Sequence, residues 1–108
     1  MSMRDPSYQT AAPDPAEVEA IRGLLLLDFG TDWCGHCTAA RDVVDAWCGA
    51  QPSIEHLRVE DGRGRPLGRA FRVKLWPTLV LLRDGREIAR VVRPLYARDL
   101  WPLDSVLG

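Results

Sequence analysis

Short apolar runs and helix-spaced apolar positions alternate along this chain. Leu24-Leu25-Leu26-Leu27-Asp28-Phe29 and Thr78-Leu79-Val80-Leu81-Leu82 are continuous apolar stretches, the pattern of strands covered on both faces. Leu57 and Val59 alternate against Arg58, which predicts a strand over 54–60. Ala40, Val43, Val44, Trp47 and Cys48 fall at i, i+3, i+4, i+7 and i+8, an apolar helical stripe opening near Cys34 and stopped by Gly49. Asp14-Pro15-Ala16-Glu17 carries the marks of an earlier helix start: a capping residue, a proline at the first helical position and a glutamate where a capping box wants it. Pro66 opens a short helix in which Leu67, Ala70 and Phe71 share a face. Leu100, Leu103 and Leu107 outline a last one limited by Pro102.

Asp84-Gly85 is the strongest short hairpin signal, joining the run at 78–82 to the alternating Glu87-Ile88-Ala89-Arg90-Val91. A strand–helix–strand unit implies a right-handed parallel crossover, to which the hairpin adds an antiparallel pair. The predicted fold is therefore α/β, with a mixed, roughly four-stranded sheet and helices on both faces. Residues 1–12 are polar and read as a flexible N-terminal segment; residues 13–108 form one domain.

Composition narrows the classes. At 46% hydrophobic, the chain has the apolar content to build one core, unlike a disordered chain. No apolar stretch approaches the roughly 20 residues that span a bilayer. A net charge of −1 advertises neither nucleic acid nor anionic lipid as partner, although residues 63–74 concentrate Arg63, Arg65, Arg69, Arg72 and Lys74. The first residues lack a basic and an apolar signal region, which points to the cytoplasm, where thiols are kept reduced.

Three cysteines are too few for a disulfide scaffold, and two of them stand as Cys34-Gly35-His36-Cys37 at a helix start. Thiol–disulfide exchange needs an attacking thiolate and a second thiol able to release the mixed disulfide. Two intervening residues let both sulfurs approach, and they set Cys34 over unpaired backbone N–H groups that favour an anion by about 0.3–1 kcal/mol. Larger depression of the thiol needs further positive charge, and His36 is the candidate the loop offers. A zinc site can also be written from Cys34, Cys37, Cys48 and His56. Cys48, however, lies about 16 Å along the helix from Cys37 at 1.5 Å per residue, and its place on the apolar stripe suits a core residue. Asp28, directly after four leucines, is expected to be buried and fit for proton transfer.

Asp28-Phe29, then Trp33-Cys34-Gly35-His36-Cys37, then Trp76-Pro77-Thr78 together resemble thioredoxin over residues 24–92. The resemblance implies a thioredoxin-like fold and a monomeric thiol–disulfide oxidoreductase that reduces protein disulfides, with an upstream disulfide reductase restoring it. No bound cofactor or metal is implied, the working group being a redox-active Cys34–Cys37 disulfide. Cys34 would be the exposed nucleophile and Cys37 the buried resolving thiol, with Asp28 assisting proton transfer at Cys37. Gly35 and His36 would tune the pair. A cis Trp76–Pro77 bond, with Trp33 and Thr78, would line a groove for an extended substrate peptide.

The chain departs from the usual family pattern at four points. His36 replaces a proline and is similar to protein disulfide isomerase domains, favouring an oxidase or isomerase direction. Bulky Trp76 precedes the cis-proline, Arg93-Pro94 stands where a groove glycine is common, and His56 takes the place of a lysine accompanying the aspartate. The second and third of these leave open a binding module that docks one partner with little turnover.

Overall fold

Residues 7–107 are described by a computed structural model. The elements run α1 (Pro15–Ala20), β1 (Leu24–Gly30), α2 (Gly35–Gly49), β2 (Glu55–Glu60), α3 (Pro66–Ala70), β3 (Thr78–Arg83), β4 (Arg86–Val92), a 3₁₀ turn (Ala97–Leu100) and α4 (Trp101–Ser105). One sheet in the order β2-β1-β3-β4 joins the strands. β1 runs parallel to β2 and antiparallel to β3, and β3 to β4 is antiparallel. The mixed four-stranded sheet with helices on both faces is the architecture that the apolar pattern implies.

Local chemistry sets the element ends. Asp14 and Glu17 form the reciprocal capping box that starts α1 on Pro15. Asp84 (φ 51°) and Gly85 (φ 81°) are both left-handed, the backbone of a two-residue hairpin turn whose twist matches the flanking strands. A side chain at Gly85 would also strike the Glu19 backbone, so glycine is required twice over. Asp84 ties this turn to the start of β1 by accepting the Gly23 N–H at 2.8 Å.

The core lies in two layers. Leu26, Leu79, Leu81 and Val91 pack on one side against Ala40, Val44, Trp47 and Cys48 of α2 and Leu103 of α4. Leu25, Leu27, Phe29, Val80 and Leu82 meet Val18 of α1 and Leu67 of α3 on the other. This is why β1 and β3 read as unbroken apolar runs. Among the described residues no helix is long and apolar enough to cross a membrane.

Three expectations are corrected. Ala70 is exposed and does not share the buried face of α3; Gly68 is the buried partner of Leu67. The last helix is divided, a 3₁₀ turn delivering Leu100 to the core before Pro102 falls in the first turn of α4. The segment expected to be flexible is docked over part of its length: Tyr8 is buried, and Gln9 bridges Val59 in parallel fashion. Gln9 donates to the Arg58 carbonyl at 3.0 Å and accepts from the Glu60 N–H at 2.9 Å. An isolated aromatic side chain with a cavity to fill can dock a polar stretch that has no periodicity of its own. Residues 1–6 of that segment lie outside the described residues.

Candidate active site

Cys34 is the N-cap of α2, in extended conformation, and its sulfur accepts the backbone N–H of Cys37 at 3.3 Å. The first turn of α2 carries no acidic residue, so the positive end of the helix dipole faces the sulfur unopposed. Both thiols are free. Cys34 is 9% exposed and Cys37 1%. Cys34 is the more accessible of the two, but it is not the open nucleophile that the resemblance implied. Tyr8 and Cys37 cluster with it, and Trp76 packs against that cluster.

Burial pushes the Cys37 thiol up to about 12, a hydrogen bond with Cys34 adding to the rise. The Thr31 backbone and the Tyr8 hydroxyl pull the other way. Gly35 and His36, in the first turn, are exposed.

Asp28 is buried at the C-terminal half of β1, on the α2 side of the sheet. Its Oδ1 accepts the Tyr8 hydroxyl at 2.9 Å and its Oδ2 accepts Arg58 Nε at 3.2 Å. Arg58 has a part that the sequence reading did not give it. Alternation sets it opposite Leu57 and Val59, and the parallel register places it beside Asp28 on a face that is also covered. The guanidinium is satisfied there by Asp28 and by Asp45 of α2, at 2.8 Å from its second nitrogen. Burial alone would lower the pKa of Arg58, yet the two carboxylates more than offset this and hold it above the ordinary value. His56, expected as the aspartate's companion, lies 3.7 Å from Asp28 Oδ2, and its buried Nε2 has no hydrogen-bond partner. The companion cation is therefore Arg58, with His56 beside it.

Tyr8 was missed altogether by the sequence reading. Burial first, then the neighbouring Asp28 and Cys37, raise its phenol far above the ordinary tyrosine value. Gly30 is the one local signal: a Cβ there would lie 2.5 Å from Cys37 Sγ and 2.8 Å from the Tyr8 hydroxyl. Tyrosine and thiol can meet at this point only because the strand ends in glycine.

A wall of indole rings flanks the sulfurs. Trp33, 77% exposed, meets Trp76 edge to face with centroids 5.7 Å apart. Trp76 is steered by its Nε1, which donates to Asp61 Oδ2 at 2.9 Å. The Trp76–Pro77 bond is cis. Thr78 is buried and donates to the Leu75 carbonyl at 2.6 Å. Arg93, in the place noted for a missing glycine, adopts the left-handed φ of 53° that glycine favours. Its backbone N–H donates to the Pro77 carbonyl at 2.9 Å, and its Nε caps the Trp76 carbonyl at 2.8 Å. Beyond Trp76, a groove is lined by Asp61, Arg65, Arg69, Arg72 and Lys74, so four of the five basic residues of the 63–74 stretch meet on one flank of the site.

Cys48 is buried in the core with Val44 and Leu103. The four residues from which a zinc site could be written are not gathered: among the described residues no group of three or more His, Cys, Asp or Glu side chains is placed to hold a metal ion.

Comparisons with known proteins agree with this geometry. The thioredoxin family profile matches residues 9–101. The fold superposes on thioredoxin 2 from Pseudomonas aeruginosa in its reduced form with a TM-score of 0.83 and 51% identity, covering 94% of each chain. A thioredoxin of Chlamydia trachomatis is 38% identical over 71 residues, 65% of this chain and 69% of that one. The fold alone is shared with thioredoxin f2 of Chlamydomonas reinhardtii, at a TM-score of 0.72 and 21% identity over 93% of this chain and 97% of that one. With this profile, this fold and a Cys-x-x-Cys pair at the mouth of α2, the chain belongs to the thioredoxin family of thiol–disulfide oxidoreductases.

Proposed function

We propose that the protein reduces protein disulfides by dithiol–disulfide exchange. The observation that carries this reading is a pair of free thiols at a helix start, buried to different depths. Cys34, at the helix N-cap, accepts a backbone N–H and keeps 9% exposure; Cys37, in the first helical turn, keeps 1%. A capped sulfur suits a thiolate, since the helix terminus and the N–H donor both favour the anion. The Cys34 thiolate attacks one sulfur of a substrate disulfide, forming a mixed disulfide and releasing the other sulfur as a thiolate. Cys37 then attacks the Cys34 sulfur, giving up its proton toward Asp28. The second substrate sulfur leaves, two electrons have passed to the substrate, and Cys34–Cys37 is the disulfide.

The elevated thiol of Cys37 suits the resting dithiol, because it keeps the second sulfur protonated until a mixed disulfide has formed. Trp33 and Trp76 supply an apolar wall against which an extended peptide would lie. Exposed His36 in the helix's first turn would act on the Cys34 thiolate as isomerase-type loops do, moving the pair toward a more oxidising potential. In this reading the protein works as a monomer in a reducing compartment, the cytoplasm, and a separate disulfide reductase returns it to the dithiol.

Insulin reduction driven by dithiothreitol tests the proposal. Turbidity should develop well ahead of a protein-free control, and the Cys34→Ser variant should not outpace that control. A wild-type rate at background would leave the fold serving as a docking module.

A further inference from the structure

We propose that Tyr8 relays the proton between the Cys37 thiol and the Asp28 carboxylate in the resolving step. The proposal rests on the dithiol-exchange reading above and assigns a working part to a residue outside the strand–helix–strand unit that holds the cysteines.

The Tyr8 hydroxyl lies between the two ends of the transfer. It donates to Asp28 Oδ1 at 2.9 Å and clusters with Cys37, its oxygen and the sulfur standing 2.8 Å and 2.5 Å from the point that a Gly30 Cβ would occupy. The other carboxylate oxygen is engaged by Arg58 at 3.2 Å and approached by His56 Nε2 at 3.7 Å, so Oδ1 is the oxygen presented to the phenol. Asp45 lies behind Arg58, and Cys34 lies beside Cys37. The ring is fixed in place: Tyr8 is 5% exposed, its N–H donates to Asp32 Oδ1 at 3.0 Å, and Gln9 is tied to β2 by two backbone hydrogen bonds. Gly30 clears the space in which hydroxyl and sulfur meet.

In the mixed disulfide, Cys37 S–H donates to the phenol oxygen while the phenol O–H donates to Asp28. As Cys37 attacks Cys34, its proton passes to the Tyr8 oxygen and the Tyr8 proton passes to Asp28 Oδ1. The new sulfur–sulfur bond forms and the substrate sulfur departs with its electron pair. The phenol begins and ends neutral, in keeping with burial and neighbouring negative charge that disfavour a tyrosinate. Afterwards both hydrogen bonds point the other way, Asp28 donating to Tyr8.

A single-turnover reaction with 5,5′-dithiobis(2-nitrobenzoate) separates the steps. Attack by Cys34 releases one chromophore, and attack by Cys37 releases the second. Tyr8→Phe, which keeps the ring, should leave the first phase within about twofold and slow the second about tenfold; this is less than a primary acid or base supplies, because water can enter the vacated space. In an Asp28→Asn background, Tyr8→Phe should add no further loss. A second phase unchanged by Tyr8→Phe, or two losses that multiply, overturns the relay while leaving dithiol exchange intact. A wild-type protein that releases only one chromophore overturns the exchange reading, and the relay with it. One measurement needs no variant: the second-phase rate of the native protein, plotted against deuterium fraction in the solvent, should curve as two moving protons require. A straight line or no isotope effect counts against the relay.

Discussion

Arg58 and Asp28 face each other across the parallel β1–β2 register, Nε to Oδ2 at 3.2 Å, with side chains only 3% and 2% exposed. A buried pair of this kind gives little net stability, but breaking it strands a charge away from water. Arg58→Met should therefore destabilise the fold by about 3–5 kcal/mol in urea denaturation. The double variant Arg58→Met/Asp28→Asn should recover part of that loss. Equal loss in both would mean that the guanidinium matters for packing rather than for charge.

Alkaline pH should weaken the fold. In the unfolded chain the Cys37 thiol loses its proton near its ordinary value of 9.0, whereas in the folded protein it holds it up to about 12. Between these values the folded state binds more protons, so stability is fully present below pH 9 and declines as pH rises toward 12. The slope from this one group cannot exceed about 1.4 kcal/mol per pH unit. Urea midpoints of wild type and Cys37→Ala, compared between pH 8 and 11, should converge as the wild type loses this advantage.

Arg93 combines a left-handed backbone with a guanidinium that occupies the Trp76 carbonyl. Arg93→Gly should relieve about 1 kcal/mol of backbone cost and uncover a hydrogen-bond acceptor beside the sulfurs. The expected result is a lower KM for a peptide disulfide at unchanged kcat. A higher KM would instead mark the guanidinium as a contact for the substrate.

Cys37→Ser should accumulate mixed disulfides through Cys34, detectable by mass as adducts that dithiothreitol removes. Cys34→Ser should not, because Cys37 is sealed and its thiol is held protonated. The same adducts from both variants would contradict the assignment of roles.

His36→Pro should move the Cys34–Cys37 potential to more negative values in glutathione buffers. The reference span, from about −270 mV for thioredoxin to about −180 mV for protein disulfide isomerase, bounds the shift. A potential that does not move would remove His36 from the tuning of the pair.

Much of the fold was legible because its signals are local. The Asp84-Gly85 hairpin, the Asp14/Glu17 capping box and the leucine runs of β1 and β3 each depend on a few adjacent residues. The Cys34 and Cys37 pair was legible for the same reason. Arg58 was not: the alternation of β2 is real, but its second face is also covered, and an arginine can occupy that face only because Asp28 and Asp45 arrive from distant elements. His56 was chosen as the companion cation by analogy with a lysine, yet register decides which side chain reaches the carboxylate. Tyr8 gave no periodic signal, since one aromatic residue in a polar stretch carries none. Its place follows from an empty space beside Gly30, which exists only in three dimensions.

The docking of Gln9 against β2 also bears on solubility. β2 is an outer strand, and an uncovered outer strand offers its N–H and C=O groups to any other chain that can extend beside it. Gln9 takes up the Arg58 carbonyl and the Glu60 N–H, so part of that template is already spent within the molecule. A chain trimmed past residue 9 would present this edge to its own copies and should self-associate, even with both cysteines intact. A few residues ahead of the first helix thus act as a guard against intermolecular strand pairing.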